Sequence, residues 1–256
     1  MIRSIVAVNT WFENACEGAG HALEVLARAV RFLTLVPKKT DAIVAQTFKA
    51  VFGSLVIVFL TSLFSGMILA LQSGIELMKF NQESSIGFLV PAAMFREMGP
   101  VMTAIALAGL IGSTYAAEIG TMKVSEELDA LEVMSVDPVY FLVMPRLIAL
   151  SSAAVALTLT ADLIGIVGGS FVGKAYLNVD FSTYFRNAER AIEVKDIYGG
   201  LLKAFVFGVT ITTIACSQGM RAEHGAQGVG TATMRTVVYS FIYILMFGYL
   251  ISWALY

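Results

Sequence analysis

Long charge-free runs divide this chain. Residues 50–75, 98–117, 204–220 and 236–256 contain no Asp, Glu, Lys or Arg, and a fifth apolar region, 138–173, is interrupted by Arg146 near its start and Asp162 in its body. About 20 mainly apolar residues cross the hydrocarbon core of a bilayer. The pattern therefore predicts five transmembrane helices, at residues 45–72, 86–113, 139–173, 197–219 and 236–256. The second is placed early because residues 84–95 are also uncharged, which carries Arg96 and Glu97 inside the span. Proline removes a backbone donor, so this long helix is expected to bend near Gly99 and Pro100. A short re-entrant segment is the competing reading.

The polar stretches between these runs have patterns of their own. Residues 118–137, EIGTMKVSEELDALEVMSVD, hold six acids and one lysine. As a helix, this segment places Val124, Leu128 and Leu131 on one stripe, with Lys123, Glu126, Glu127, Asp129 and Glu132 around the rest. It is too short to cross a membrane. Anionic headgroups attract basic segments, so an acidic one is expected to dock a protein partner; a solvated helix that merely joins two spans is the alternative. Residues 1–40 read as an interfacial helix. Glu13, Glu17, Glu24, Arg28 and Arg31 share a narrow sector, while Trp11, Phe12, Cys16, Ala19, Leu23, Leu26, Val30 and Phe32 or Leu33 largely occupy the other side. A soluble helix packed on a partner is the alternative here. Residues 174–196 form a polar segment and 220–235 a glycine-rich loop.

Composition agrees with the pattern. Of the 256 residues, 57% are hydrophobic and 14% charged, the formal net charge is −2 and the mean hydropathy is +0.78. The fold class is an all-α integral membrane protein, with an N-terminal interfacial amphipathic helix, five transmembrane helices and a cytoplasmic helix at 118–137. Orientation follows the Lys and Arg of the connections. With the N-terminus in the cytoplasm, Arg3, Arg28, Arg31, Lys38, Lys39, Lys49, Lys123, Arg146, Arg221 and Arg235 lie inside, against Lys79, Lys174, Arg186, Arg190 and Lys195 outside. The C-terminus is then external. The N-terminal stretch lacks the basic start, compact apolar core and cleavage site of a signal peptide.

Candidate chemistry is sparse. Ionisable groups within a membrane are costly unless paired or solvated, which singles out Arg96, Glu97, Asp162 and Lys203. Arg96 could hold a phosphate through its forked donors; equally, Arg96 or Glu97 could pair with Lys203 or Asp162 to hold helices together. Gly165, Gly168, Gly169 and Gly173 offer a small-residue face for close helix packing, within this chain or against a second copy. The stretch GAQGVGTATMR, 225–235, is not a nucleotide-binding loop, because Lys-Ser or Lys-Thr does not follow its glycines. ATP and Mg are accordingly expected on a separate subunit, with no cofactor in this chain. Cys16, Cys216, His21 and His224 are too scattered for a disulfide or a metal site. No catalytic residue is expected. An intramembrane lipid-modifying enzyme would need a nucleophile and base at one depth, and a secondary transporter usually shows repeats, which five spans do not divide into.

Two blocks resemble the MlaE-type permeases, the membrane subunits of an ABC phospholipid transport system: FREMGP, 95–100, and AEIGTMKVSEELDALEVMSVDPVYFLVMPR, 117–146. SGMILALQ, 65–72, and GVGTAT with the following valines, 228–238, extend the similarity. The resemblance implies a homodimer in a Gram-negative inner membrane. It also implies a cytoplasmic ABC ATPase docked through a coupling helix and carrying a STAS-domain subunit. A hexameric periplasmic ring of MCE-domain subunits would receive the phospholipid, maintaining outer-membrane asymmetry; no nucleic acid is involved. Carried over by motif, Arg96, Glu97, Leu69, Leu77 and Phe80 would bind lipid. The coupling residues would be Glu118, Lys123, Glu126, Glu127, Leu128, Leu131, Glu132 and Asp137. Glu76 departs from the apolar residue expected beside that wall.

Overall fold

Among the described residues of the computed structural model, five helices are long and apolar enough to cross a membrane: α2 (Thr40–Met78), α3 (Glu83–Val124), α5 (Val139–Leu177), α7 (Val194–Met220) and α8 (Gly225–Leu255). The structure describes residues 17–18, 20–223 and 225–256. Short helices join or precede the spans: α1 (residues 20–31), α4 (Glu127–Val133) and α6 (Phe181–Ala191). Consecutive spans run antiparallel, which puts α1 and α4 at one end of the bundle and α6 at the other. Among the described residues there is no strand.

The bundle is held by small residues at intervals of four. On α2, Ala50, Ser54, Val58, Ser62, Gly66, Ala70 and Gly74 form the buried stripe. It packs on the glycine face of α5: a Cβ at Gly66 would lie 2.0 Å from the Gly165 carbonyl oxygen, and one at Gly168 would lie 2.6 Å from that of Leu63. Without an apolar driving force between helices in lipid, such backbone contact is what van der Waals packing can exploit. The glycine face therefore finds its partner inside this chain. A second stripe on α8, Gly228, Ala232, Thr236, Ser240, Ile244 and Gly248, buries the same way. Large side chains on the remaining faces of these two helices are exposed, among them Phe52, Val56, Phe64, Leu245, Tyr249 and Trp253.

Several boundaries differ from the sequence reading. The segment 118–137 is not one helix: Ser113–Val124 completes α3, Glu126 turns the chain in the left-handed region (φ 60°), and only Glu127–Val133 forms a separate helix. The span continues because the charge of Glu118 is met by Lys49 and Arg146 from neighbouring helices. Residues 225–235 are not a loop either, since α8 starts at Gly225. Gly228 lies so close to Glu223 that a Cβ would meet its carbonyl at 1.5 Å, so tight packing outweighs the roughly 1 kcal/mol that a helical glycine costs. At the other end, α6 occupies much of 174–196, and Asn178 in the left-handed region (φ 52°) ends α5.

The second span is one continuous helix rather than a re-entrant segment. It absorbs Pro91 and Pro100 through a π turn at Met94–Met98, and a second π turn follows at Ala108–Gly112. The polar and apolar positions assigned to residues 1–16, to Ala19 and to the side chain of Leu33 lie outside the described residues, as does His224. In α1, Val25 and Ala29 are buried against α5 and α7 residues such as Leu147 and Cys216, whereas Leu23 and Val30 are exposed. This helix ends at residue 31 and a 3₁₀ segment, Phe32–Lys38, leads into α2. An exposed apolar edge beside a docked face suits a helix lying at a membrane surface.

Candidate functional site

The π turn at Met94–Met98 decides where the charged pair points. Pro100 has no N–H to give the carbonyl of Arg96, four residues back, so that oxygen is left for another donor. Lys203 of α7 supplies it. Its Nζ lies 2.5 Å from the Arg96 carbonyl oxygen, 2.7 Å from Glu97 Oε1 and 2.6 Å from Ser252 Oγ of α8. Ser252 also donates to Glu97 Oε1. All three donor positions of this fully buried side chain thus have acceptors, which offsets the cost of placing it among apolar helices.

Arg96 turns the other way, to the first turn of α7. Its Nε and Nη2 donate to Asp196 Oδ1 and Oδ2 at 2.7 and 3.2 Å, while Tyr256 donates to Oδ1 at 2.8 Å. Asp196 is fully buried and is itself fixed by a capping box with Glu193 at the start of α7. The Arg96 side chain is 42% exposed and its guanidinium carbon lies 4.9 Å from the Tyr256 ring centre. Among the described residues Nη1 has no hydrogen-bond partner, so a half-exposed fork is held in place with donors to spare. Four charges and two hydroxyls from α3, α7 and α8 therefore form one cluster near the α6 end.

The other residues expected around lipid are placed differently. Leu69 and Leu77, on α2, are half-buried against the cluster of Val90, Phe95, Ile166 and Leu177. Phe80 is 73% exposed at the end of α2. Glu76 is exposed and pairs with Lys79 at 2.8 Å, which accounts for a charge at that end of the span. Asp162 meets neither Arg96 nor Lys203; it is 1% exposed, and both of its carboxylate oxygens lack a partner among the described residues. Sequence reasoning missed Asp196, Ser252 and Tyr256. The signal for the first was present: Asp196 and Lys203 are two helical turns apart, on one face of α7.

At the opposite end, the residues assigned to coupling do two jobs. Glu118 joins three helices, accepting from Lys49 of α2 at 2.5 Å and from Arg146 of α5 at 2.9 Å. Arg146 also donates to the Leu142 carbonyl and lies 5.4 Å from the Tyr115 ring centre. Asp137 caps the Val139 N–H at 2.8 Å and accepts from Arg28 of α1 at 2.9 Å, so it fastens α1 and α5 rather than facing outward. Lys123 pairs with Asp129 across the turn at 2.8 Å. Leu128 is buried and Leu131 half-buried against the bundle. The apolar residues that α4 presents outward are instead Val133 and Met134, 87% and 63% exposed, next to Glu126, Glu127 and Glu132. The stripe expected from one helix over 118–137 is divided: Val124 is exposed while Leu128 and Leu131 face the bundle, because the left-handed turn at Glu126 resets the periodicity.

Nearby, His21 Nδ1 lies 2.8 Å from Ser217 Oγ and ties α1 to α7. Burial, helped by the positive charge of Arg221, holds this imidazole below its ordinary value. Among the described residues no group of three His, Cys, Asp or Glu is placed to hold a metal.

Similarity to other proteins covers most of the chain. The family described as Permease MlaE matches residues 43–254. The chain is 41% identical over 224 residues to a probable ABC transporter permease protein of Rickettsia typhi, covering 88% of this chain and 86% of that one. It is 38% identical over 200 residues to an intermembrane phospholipid transport system permease protein of Haemophilus influenzae, covering 78% and 77%. A chloroplastic protein of Arabidopsis thaliana, trigalactosyldiacylglycerol 1, is 37% identical over 78% of this chain and 57% of its own length.

Proposed function

The chain belongs to the MlaE permease family of ABC transporters, and from that premise we propose that it moves phospholipid as the non-catalytic membrane subunit of a larger machine. The carrying observation is the Arg96 side chain, half-exposed near the α6 end, gripped by buried Asp196 and with Nη1 unengaged among the described residues. A phosphodiester headgroup matches those remaining donors, and the exposed apolar faces of α2 and α8 match acyl chains.

The orientation follows the basic connections, with α1 and α4 in the cytoplasm and α6 in the periplasm of a Gram-negative inner membrane. The chain acts as a homodimer. A cytoplasmic ABC ATPase, with its STAS-domain subunit, binds α4 through Val133, Met134 and the acids around them. A periplasmic MCE-domain ring exchanges lipid with the permease and so maintains outer-membrane asymmetry. Motion of α4 reaches the spans through Glu118, because one carboxylate holds α2, α3 and α5 together at the cytoplasmic end.

The test is lipid capture. A photoreactive residue in place of Met98, which is exposed beside the charged pair, should crosslink phospholipid in the assembled complex, and Arg96→Glu should abolish that adduct while assembly survives. An undiminished adduct in the variant would refute the headgroup role.

A further inference from the structure

Asp162 is the intramembrane acid that the charged cluster leaves out. Its carboxyl presses on the hinge of the second span: a Cβ built on Gly99 would lie 1.6 Å from Asp162 Oδ1 and 3.1 Å from the Met94 carbonyl oxygen that closes the π turn. Because α3 and α5 are antiparallel, Thr103, one turn beyond Gly99, comes level with Thr158, one turn before Asp162. Both threonine hydroxyls are buried, 1% and 0% exposed, and both lack a partner among the described residues. On the α2 side, Ser62 is equally buried with its hydroxyl unpaired, and its carbonyl lies 3.2 Å from a Cβ position on Gly165. Unpaired polar oxygens thus line the junction of α2, α3 and α5 over about 10 Å, with Asp162 between the level of Ser62 and that of Thr103 and Thr158.

The charges on the surrounding elements are spoken for. Arg96 and Glu97 of α3 are paired with Asp196 and Lys203 of α7, and α2 carries no charge between residues 50 and 75. On α5 itself, Arg146 and Lys174 are 16 and 12 residues away, roughly 24 and 18 Å along the axis. An isolated carboxylate in such surroundings is so costly that the group is neutralised instead.

We propose that Asp162 is a proton-binding site: in this closed geometry it is a neutral carboxylic acid seated against Gly99 beside the Met94 carbonyl, with the unpaired Thr103 and Thr158 hydroxyls one helical turn away. The proton locks the π turn that carries Arg96 and Glu97. When the turn relaxes and water enters, the O–H bond breaks, the proton passes to water, and the turn can close again only after a proton rebinds. Its consequence for transport rests on the lipid-permease reading above.

Infrared spectroscopy of the purified complex tests the site directly. Wild-type protein should show a carboxylic-acid carbonyl band near neutral pH that shifts on ¹³C-aspartate labelling and is missing in Asp162→Asn. In reconstituted membranes, wild-type lipid transfer should fall by about tenfold per pH unit once the acid titrates on the alkaline side, while Asp162→Asn, which keeps the neutral hydrogen-bonding shape, should stay flat. Absence of the labelled band, its persistence in Asp162→Asn, or matching pH profiles would overturn the proposal. Sodium-dependent loss of the band would overturn it too, by making the site a cation site. If the band behaves as expected but neither protein moves phospholipid, the functional reading fails and the proton site stands.

Discussion

Replacing Lys203 with Met removes the donor that three acceptors share. Lys203→Met leaves the Arg96 carbonyl without a donor, since Pro100 cannot supply one, and an unsatisfied buried carbonyl costs about 1–3 kcal/mol. It also leaves Glu97 with Ser252 alone. Breaking a buried pair by removing one partner costs about 3–5 kcal/mol, but Glu97 is 42% exposed, so water recovers much of that. About 3 kcal/mol in total is expected, and for a chain of this size each kcal/mol lowers Tm by about 2–4 °C. Thermal unfolding in detergent, followed by the fluorescence of a cysteine-reactive dye at buried Cys216, should therefore shift down by about 6–12 °C. The double variant Glu97→Met with Lys203→Met should recover part of that loss, the share due to unpaired Glu97, while the Arg96 carbonyl stays without its donor. A Tm within a degree of wild type for Lys203→Met, or additive losses in the double variant, would refute the pairing.

The remaining predictions concern packing, coupling and pH. Gly66→Leu drives a side chain into the Gly165 backbone, 2.0 Å from the first added carbon, and should prevent stable insertion, seen as loss of a monodisperse peak in size-exclusion chromatography. Glu126→Lys with Glu127→Lys should lower co-purification of the ATPase while leaving Tm unchanged, since both residues are exposed on the outer side of α4. For His21, a folded pKa held below the ordinary value means that the undocked state binds the proton more readily, so the docking of α1 is fully present above about pH 6.5 and is lost as pH falls. Hydrogen exchange of residues 20–31 should accelerate on acidification in wild type and much less in His21→Gln.

The spans were legible because a bilayer demands a run of about 20 apolar residues, and charge-free runs are a local property of the sequence. Their ends were not, because helices continue through charges whose partners come from elsewhere. Glu118 meets Lys49 and Arg146 at separations of 69 and 28 residues, and nothing local announces either contact. Arg96 and Glu97 were visible as intramembrane charges, and Glu97 pairs with Lys203, one of the partners considered. Asp196 escaped notice because it sits among Glu193 and Lys195 at a helix start, where a charge is unremarkable. The inward aim of Leu128 and Leu131 was hidden by a single left-handed residue, Glu126, whose conformation no side-chain pattern encodes.

The central claim is that a separate ATPase drives phospholipid through this chain by pushing on α4. It is tested most directly by reconstituting the co-purified complex in vesicles and following labelled phospholipid transfer to an acceptor. ATP should drive transfer in the wild-type complex, and the Glu126→Lys, Glu127→Lys complex should lose it. Nucleotide hydrolysis by the isolated chain, or equal transfer by both complexes, would contradict the account.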